Sequence, residues 1–288
     1  MPELPEVETI ARSLRGDNAL RVDTAFREGS APPSIVGRSI RSADVHWDRT
    51  IAAPETGFRN KIAGRTVASV GRRAKFLVLD LDEGALIIHL RMSGDLLVRP
   101  AGEPPAPHDR VVFHFDDGFD LAFNDTRKFG RVWLLDDPAE LFAGLGPEPL
   151  GDEFTPDWLY KNLQTRNRQV KPLLLDQRFL AGVGNIYADE SLHRAGIHPL
   201  RGSNTVGREE AQALWSHLRD VLRESIRNNG ASIDWVYRGG EFQNTFRVYG
   251  RAGEPCPNCG GEIVKIVVGQ RGTHVCPNCQ PPDDRIQD

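Results

Sequence analysis

All four cysteines of this 288-residue chain lie in two Cys-Pro-Asn-Cys motifs near its end. Cys256 and Cys259 form the first pair, Cys276 and Cys279 form the second, and sixteen residues separate the two pairs. Two pairs at this spacing supply four thiolates for a tetrahedral site, which zinc prefers. Two disulfides are the alternative, but nothing at the N-terminus resembles a secretion signal, and cytosolic thiols stay reduced. The pattern therefore predicts one structural zinc ion.

The residues between the two cysteine pairs read as a β-hairpin. An apolar β-type run over 262–268 is followed by a turn at 269–272 and a second strand over 273–276. An isolated hairpin of this length is marginally stable in water. Zinc would therefore fix the direction in which the turn residue Arg271 points.

Composition narrows the class of protein further. The chain is 39% hydrophobic, enough for ordinary cores, and no apolar run reaches the roughly 18 residues of a membrane span. We expect a cytoplasmic, monomeric protein. The net charge of −4 argues weakly against a nucleic-acid partner, although its sign is not decisive. A local basic groove can still bind a phosphate backbone by counterion release, and basic residues cluster at 72–75, 127–131, 166–171 and 247–251.

The first half of the chain predicts one helix followed by strands. Residues 5–14 open with proline, carry apolar residues at helical spacing and stop at Gly16. From about residue 20 to 135, short β-type runs alternate with turn sequences, which favours antiparallel hairpins in a sandwich. The clearest runs are 76–81, 85–90, 110–115 and 131–135.

The second half predicts helices. Thr155 and Pro156 form a helix start, and further helices are expected near 171–175, 185–192 and 207–228. The fold class is α+β, and the glycine-rich residues 230–255 are expected to form a mobile loop. The predicted divisions are 1–135 (β-sandwich), 136–150 (linker), 151–230 (helices), 231–255 (loop and connection), 256–280 (zinc finger) and 281–288 (acidic tail).

The N-terminal Met1-Pro2-Glu3 offers a nucleophile. Removal of Met1 would leave Pro2 with a free secondary amine, and an α-amine titrates well below a lysine amine. Such an amine can attack an aldehyde-like carbon to give an iminium, with Glu3 moving the proton. On the dipeptide alone, Pro2 is equally an ordinary second residue, and Glu3 an acid favoured by a helix start.

Five further segments decide between these readings, together with the opening Met-Pro-Glu-Leu-Pro-Glu-Val-Glu. They are 72–75, 89–94, 124–130, 182–190 and 269–272. In this order and with these gaps, the whole chain resembles the bacterial formamidopyrimidine-DNA glycosylases. The resemblance implies an N-terminal antiparallel β-sandwich with an N-terminal helix, then a helix-two-turns-helix bundle and a β-hairpin zinc finger.

The resemblance also implies an activity and its residues. Double-stranded DNA would be the partner, and oxidised purines (8-oxoguanine and formamidopyrimidines) would be excised before strand cleavage by β- and δ-elimination. Pro2 would be the nucleophile and Glu3 the general acid and base. Lys75 and Arg271 would hold the damaged nucleotide's phosphate, with Lys75 assisting proton transfer and Arg271 assisting δ-elimination. A lesion-capping loop would lie within 231–246.

A further set of residues would handle the DNA. Met92, Arg127 and Phe129 would fill the gap left by a flipped base: methionine and phenylalanine as apolar wedges, arginine as a donor to the partner base. From pattern alone, Met92 and Phe129 could equally be core residues. The remaining backbone contacts implied by the resemblance are His108, Asn167, Arg168, Lys171 and Asn185. Asn185 starts a helix whose N–H groups could receive a phosphate.

Three alternatives stay open. An endonuclease VIII-like enzyme would excise oxidised pyrimidines, but those relatives typically begin Pro-Glu-Gly, whereas this chain has Leu4. A non-catalytic zinc-finger binder of damaged duplex would not need Pro2 beside Glu3. A structural zinc-ribbon protein explains the hairpin but not the N-terminus.

Overall fold

The computed structural model describes residues 1–17, 33–54, 56–232 and 239–282. It divides into an N-terminal unit, drawn from residues 1–144 and 226–241, and a C-terminal unit, drawn from 145–225 and 242–288. Among the described residues, no helix has the length and hydropathy needed to cross a membrane.

The N-terminal unit is a β-sandwich preceded by one helix. One sheet has four strands in the order β1-β7-β8-β6, and the other has five in the order β2-β9-β5-β4-β3. The strands are β1 Ile40–Val45, β2 Ile51–Ala53, β3 Val67–Arg73, β4 Phe76–Leu81, β5 Ala85–His89, β6 Gly94–Pro100, β7 Asp109–Phe115, β8 Phe119–Asp125 and β9 Arg131–Leu135. The helices are α1 Leu4–Arg15, α2 Phe58–Ile62 and α3 Ala139–Phe142.

Alternation of apolar residues builds the core between the two sheets. On β4, Leu77, Leu79 and Leu81 point inward, and they share one buried cluster with Phe113 and Phe123 of the opposite sheet. This is the expected consequence of a period-two pattern with one face buried. One pairing differs from the antiparallel prediction, because the short strand β2 runs parallel to β9 at the sheet edge.

Helix α1 forms for the reasons that its sequence suggests. Val7, Ile10 and Leu14 are almost completely buried against the sandwich core. The helix ends at Gly16, which adopts a left-handed conformation with φ 84° and whose N–H bonds back to the last turn. The prediction of an amphipathic N-terminal helix is confirmed.

The C-terminal unit contains the predicted helices and the hairpin. Thr155 accepts a hydrogen bond from the N–H of Trp158 at 3.0 Å, as expected for an N-cap. The elements are α4 Pro156–Gln164, α5 Val170–Leu175, α6 Asn185–Arg194, α7 Arg208–Arg227 (most of it in this unit), β10 Val264–Val268 and β11 Arg271–Val275. We call β10, β11 and the two flanking cysteine pairs the finger.

The expected mobile loop over 230–255 differs from the structure beyond residue 242. Residues 233–238, where the predicted lesion-capping loop falls, lie outside the described residues. Phe242 begins a short 3₁₀ helix, and its ring stacks on Tyr187 of α6 at 5.9 Å.

The buried Glu190 carboxylate of α6 accepts hydrogen bonds from three successive N–H groups, those of residues 247–249, at 2.8–3.1 Å. Burial raises the pKa of Glu190, and the three donors partly offset that effect. No local sequence pattern indicates this packing, because Glu190 lies far in sequence from the residues 247–249 that it binds.

Candidate functional site

The start of α1 holds Pro2 and Glu3 in a buried and fixed position. Pro2 is buried, and Glu3 is only 2% exposed. The N–H of Glu3 donates to a Glu6 carboxylate oxygen at 2.8 Å, and the Glu3 side chain accepts from the N–H of Glu6. The other Glu6 oxygen accepts from the N–H of Ala231 at 2.8 Å. This reciprocal capping box fixes the backbone on which any chemistry of Pro2 would depend.

Lys75 lies in the two-residue turn between β3 and β4 and is 6% exposed. Arg72 connects this turn to α1, because it donates to Glu8 at 3.3 Å and to the carbonyl of Ala74 at 2.9 Å. The same contacts therefore position the start of α1 and the turn that carries Lys75.

The loop between β5 and β6 presents Met92. His89 accepts a hydrogen bond from the N–H of Arg91 at 2.9 Å, which supports the sharp turn before Met92. Burial, together with the nearby charges of Arg91 and Lys75, lowers the pKa of His89 to about 3. The ring is therefore neutral near pH 7 and can accept that N–H. Met92 is 40% exposed, which excludes the core role that its sequence pattern left open.

The loop between β8 and β9 presents Arg127 and Phe129. Phe129 is 48% exposed, so it is not a core residue either, and the Arg127 guanidinium lies 5.2 Å from the centre of its ring. This contact is a cation–π arrangement at an exposed site. Lys128 points its ammonium elsewhere, 4.2 Å from the ring of Trp47.

Two residues that the sequence did not single out connect these loops. Asp125 is 1% exposed, and its carboxylate accepts hydrogen bonds from the Ser93 hydroxyl and from the N–H groups of Arg127 and Gly130. The Ser93 oxygen in turn accepts from the N–H of Arg127 at 3.0 Å. One buried network thus holds Ser93, which follows Met92, and the backbone of Arg127, although neither Ser93 nor Asp125 reaches the surface. Only their position inside the two matched segments could have indicated them.

His108 belongs to the same part of the N-terminal unit. It is exposed, and its carbonyl accepts from the N–H of Asp125 at 2.9 Å. The next residue, Asp109, is buried and paired with Arg99 at 2.9 Å, which fixes the loop.

Backbone strain marks the predicted functional residues. A non-glycine residue rarely adopts positive φ, and it does so at a cost of about 1 kcal/mol or more. Among the described residues, five non-glycines do so, and four of them adjoin a predicted functional residue. They are Ala74 beside Lys75, Arg91 beside Met92, Lys128 between Arg127 and Phe129, and Gln270 beside Arg271.

Lys171 differs from its predicted role as an exposed phosphate contact. Its side chain is 0% exposed, and its ammonium lies 2.7 Å from the equally buried Asp189 carboxylate. It also donates to the Thr273 hydroxyl at 2.6 Å and to the Gly272 carbonyl at 3.3 Å. Asp189 accepts the N–H of His274 at 3.0 Å. We call this network the α5–α6 clamp. It attaches strand β11 to α5 and α6, and it already pairs the Lys171 ammonium within the protein.

Asn185, Arg168 and Asn167 are placed differently from one another. The Asn185 amide also joins the clamp, because it donates to the Gly272 carbonyl at 2.9 Å. Arg168 is 47% exposed and pairs with Asp176 at 2.7 Å. Asn167 is exposed in the same loop between α4 and α5.

Arg271 is the first residue of β11 and is exposed. It pairs with Val268, so the turn comprises only Gly269 and Gln270, two residues fewer than predicted. Both adopt positive φ, 55° and 63°, which suits a tight hairpin. A Cβ on Gly269 would lie 2.9 Å from the Pro172 ring, so the turn also rests on α5.

The four cysteine sulfurs form the metal site. All lie within 4.8 Å of one another. Cys256 and Cys279 sulfurs are 3.8 Å apart, and those of Cys259 and Cys276 are 3.5 Å apart. A tetrahedral zinc site with bonds of about 2.3 Å requires sulfur separations of about 3.8 Å. A hydrogen bond from the Gly261 backbone lowers the pKa of Cys259 to about 7, whereas burial raises the pKa of Cys276 and of Cys279. The donor set and spacing fit one structural zinc ion.

Known protein families match this chain along most of its length. Three family models match along the chain: the formamidopyrimidine-DNA glycosylase N-terminal domain at residues 1–132, the H2TH domain of the same enzymes at 145–236, and a zinc finger found in FPG and IleRS at 253–282. The fold and its metal site are thus those of a zinc-finger DNA glycosylase.

Individual relatives narrow this class. A formamidopyrimidine-DNA glycosylase of Chloroflexus aggregans is 46% identical over 97% of this chain and 98% of its own length. That of Bacillus subtilis is 41% identical over 97% and 99%. A structure of MutM with DNA containing carbocyclic 8-oxo-G matches with a TM-score of 0.86 and 34% identity, covering 98% of this chain and all of the other. A Lactococcus lactis FPG complex with FAPY-dG DNA matches equally well, with a TM-score of 0.86. The chain belongs to the formamidopyrimidine-DNA glycosylase family, whose members are DNA glycosylases with abasic-site lyase activity.

Proposed function

We propose that this protein binds duplex DNA, excises oxidised purines through a Schiff base on Pro2, and then cuts the strand at the resulting abasic site. 8-Oxoguanine and formamidopyrimidines are the proposed substrates. The observation that carries the proposal is the capping box that holds Pro2 and Glu3 in the buried start of α1. Among the solved structures similar to this chain are complexes with DNA that contains carbocyclic 8-oxo-G, FAPY-dG or an abasic site.

The proposed chemistry begins at the sugar. With Met1 removed, the Pro2 amine attacks C1′, the glycosidic bond breaks, and its electron pair leaves with the base. The base takes up the proton that the Pro2 nitrogen loses, so the nitrogen regains the lone pair needed to form an iminium. Glu3 donates a proton to the ring oxygen as the C1′–O4′ bond opens, which leaves an iminium between Pro2 and C1′.

The iminium then acts as an electron sink for strand cleavage. Loss of a C2′ proton expels the 3′ phosphate, and loss of a C4′ proton expels the 5′ phosphate. Lys75 and Arg271 hold the phosphate, so their positive charges stabilise the negative charge that develops on the leaving oxygens. Water finally hydrolyses the iminium and releases Pro2.

The exposed side chains Met92, Arg127 and Phe129 support a base-flipping step. A base inside a duplex must leave the stack before C1′ can be attacked. The exposed apolar side chains of Met92 and Phe129 suit the gap, and Arg127, whose guanidinium lies over the Phe129 ring, can donate to the orphaned partner base.

The test is a panel of duplexes that each carry one defined lesion: 8-oxoguanine, a formamidopyrimidine, an oxidised pyrimidine or an abasic site. We expect base release and strand cleavage to be fastest on the two purine lesions. Glu3→Gln should keep duplex affinity and lose about 10²–10⁴-fold in base excision. Glu83→Gln, a change on an exposed β-turn, is the matched control and should retain wild-type rates.

Two results would overturn parts of the proposal. Cleavage confined to the oxidised pyrimidine would assign the endonuclease VIII-like specificity. Tight binding of every duplex without cleavage of any would assign a non-catalytic damage binder.

A further inference from the structure

A buried histidine contacts one sulfur of the metal site. His193 lies near the end of α6 and is 1% exposed. Its Nε2 lies 3.3 Å from the Sγ of Cys256, which is itself 2% exposed. Its other ring nitrogen, Nδ1, has no hydrogen-bond partner among the described residues. The sulfur is therefore the one polar atom in that part of the chain to which this ring is hydrogen-bonded.

His193 does not belong to the ligand set. Within the described residues, the candidate ligand atoms that lie mutually within 4.8 Å are the four sulfurs, and the imidazole is not among them. A zinc-bound cysteine is a thiolate, which can accept but not donate. The proton between Nε2 and the Cys256 sulfur must therefore be carried by the histidine.

We propose that His193 is a positioning residue for the zinc site, donating its Nε2–H to the Cys256 thiolate and thereby slowing the loss of zinc. The hydrogen bond withdraws charge from the sulfur and fixes the rotamer of Cys256. Outer-sphere partners of this kind typically change metal affinity 10- to 100-fold when removed. The contact also connects α6, which carries the clamp residues Asn185 and Asp189, to the cysteine pair that opens the finger.

The charge around Cys256 fits this role. Zinc with four thiolates carries a net charge of −2, and the part of it that lies on the buried Cys256 and Cys276 is costly without donors nearby. Arg247 donates to the side chain of Asn258 at 3.3 Å, and Arg251 donates to the carbonyl of Pro255 at 3.4 Å, so two guanidiniums flank the same cysteine pair. Among the described side chains, His193 adds a hydrogen-bond donor aimed at a ligand sulfur itself.

The test compares variants that keep or remove the donor. His193→Gln retains an N–H in the region of Nε2, whereas His193→Leu and His193→Phe remove it with different packing. His198→Leu is the matched control, because His198 is also buried (8% exposed) in this unit but accepts from the N–H of Leu200 at 3.3 Å. The readout is the rate of zinc release from the full-length protein to an excess of a colorimetric chelator at constant pH.

We expect His193→Leu or His193→Phe to release zinc about 10- to 100-fold faster than wild type. His193→Gln should stay within about threefold of wild type, as should His198→Leu, since neither loses a donor to sulfur. Release at the wild-type rate from both donor-free variants would overturn the proposal. So would equally fast release from His193→Gln, which would assign the effect to packing.

A spectroscopic measurement keeps the test decisive if one variant folds poorly. In the cobalt-substituted protein, losing a hydrogen bond to a thiolate makes that sulfur easier to oxidise. The thiolate-to-cobalt charge-transfer band should therefore move to longer wavelength in the donor-free variants, and not in His193→Gln. An unchanged band in whichever donor-free variant folds contradicts the proposal.

Discussion

Truncating Asp189 to alanine should loosen the finger while leaving the N-terminal unit intact. The Lys171 ammonium and the Asp189 carboxylate are 2.7 Å apart and both 0% exposed. Removing one partner of such a pair costs about 3–5 kcal/mol, because the other charge remains buried and uncompensated. The N–H of His274 also loses its acceptor, which adds about 1–3 kcal/mol where no water can replace it.

Native-state hydrogen exchange followed by mass spectrometry measures this loss locally. Since about 1.4 kcal/mol corresponds to a factor of ten, the ion-pair contribution alone predicts exchange in β11 and α6 faster by roughly two to three and a half orders of magnitude. Peptides from β3 to β9 should keep wild-type protection. Glu254→Ala is the control: it removes a surface pair with Arg251 (2.8 Å, Glu254 56% exposed) and should cost about 1 kcal/mol or less.

A double-mutant cycle tests the reasoning behind that magnitude. Lys171→Met and Asp189→Leu should each destabilise the finger strongly, and the double variant should be much less destabilised than their sum, since no charge is left buried. Additive effects would refute the idea that the two side chains form one coupled pair. Equal losses in Asp189→Ala and Glu254→Ala would refute the burial argument.

Three further predictions follow from the finger and from the exposed loops. The protein should contain one equivalent of zinc. Cys276→Ser should abolish DNA binding, whereas the unfolding of the β-sandwich, followed by circular dichroism, should change little. Substoichiometric zinc together with disulfide-bonded thiols would contradict this prediction. Met92→Ala should slow excision from an intact 8-oxoguanine pair, by up to a few kcal/mol of barrier, more than cleavage at a preformed abasic site. Val36→Ala is the control, because Val36 is an apolar residue of similar exposure (41%), and it should change the rate on neither substrate. If Met92→Ala slows both reactions equally, Met92 does not act as a wedge. Arg271→Ala should lower the slope of log affinity against log salt by roughly one unit on every duplex, and an unchanged slope would exclude a phosphate contact. Lys265→Ala is the control: Lys265 lies on the neighbouring strand, so its effect on the slope shows how much is lost when any positive charge of the finger is removed.

Local sequence signals predicted the regular elements well. Proline at a helix start, glycine at a helix end and alternation along strands act within a few residues, so the boundaries of α1, β4 and β9 agree closely with the structure. The zinc site could also be predicted from the sequence, because the spacing of the two Cys-x-x-Cys pairs is itself what defines such a site. The parallel pairing of β2 with β9 was not, since strand partners distant in the chain leave no local pattern.

Side-chain roles were harder to predict than elements. Lys171 looks like a solvated cation in sequence, and only the approach of α6 to α5 brings Asp189 to it and buries both. Ser93 and Asp125 act through backbone N–H groups on a different loop, which no spacing rule reveals. The exposure of Met92 and Phe129 likewise depends on where their hairpins end in the folded unit.

The central claim is that the Pro2 nitrogen attacks the sugar, and borohydride trapping tests it most directly. Protein with Met1 removed should be locked covalently to an 8-oxoguanine duplex by borohydride, and peptide mapping should place the adduct on Pro2. An N-terminal tag that retains Met1 makes the Pro2 nitrogen an amide, so the tagged protein should form no adduct. An undiminished adduct in the tagged protein, or an adduct mapped to Lys75, would contradict the account.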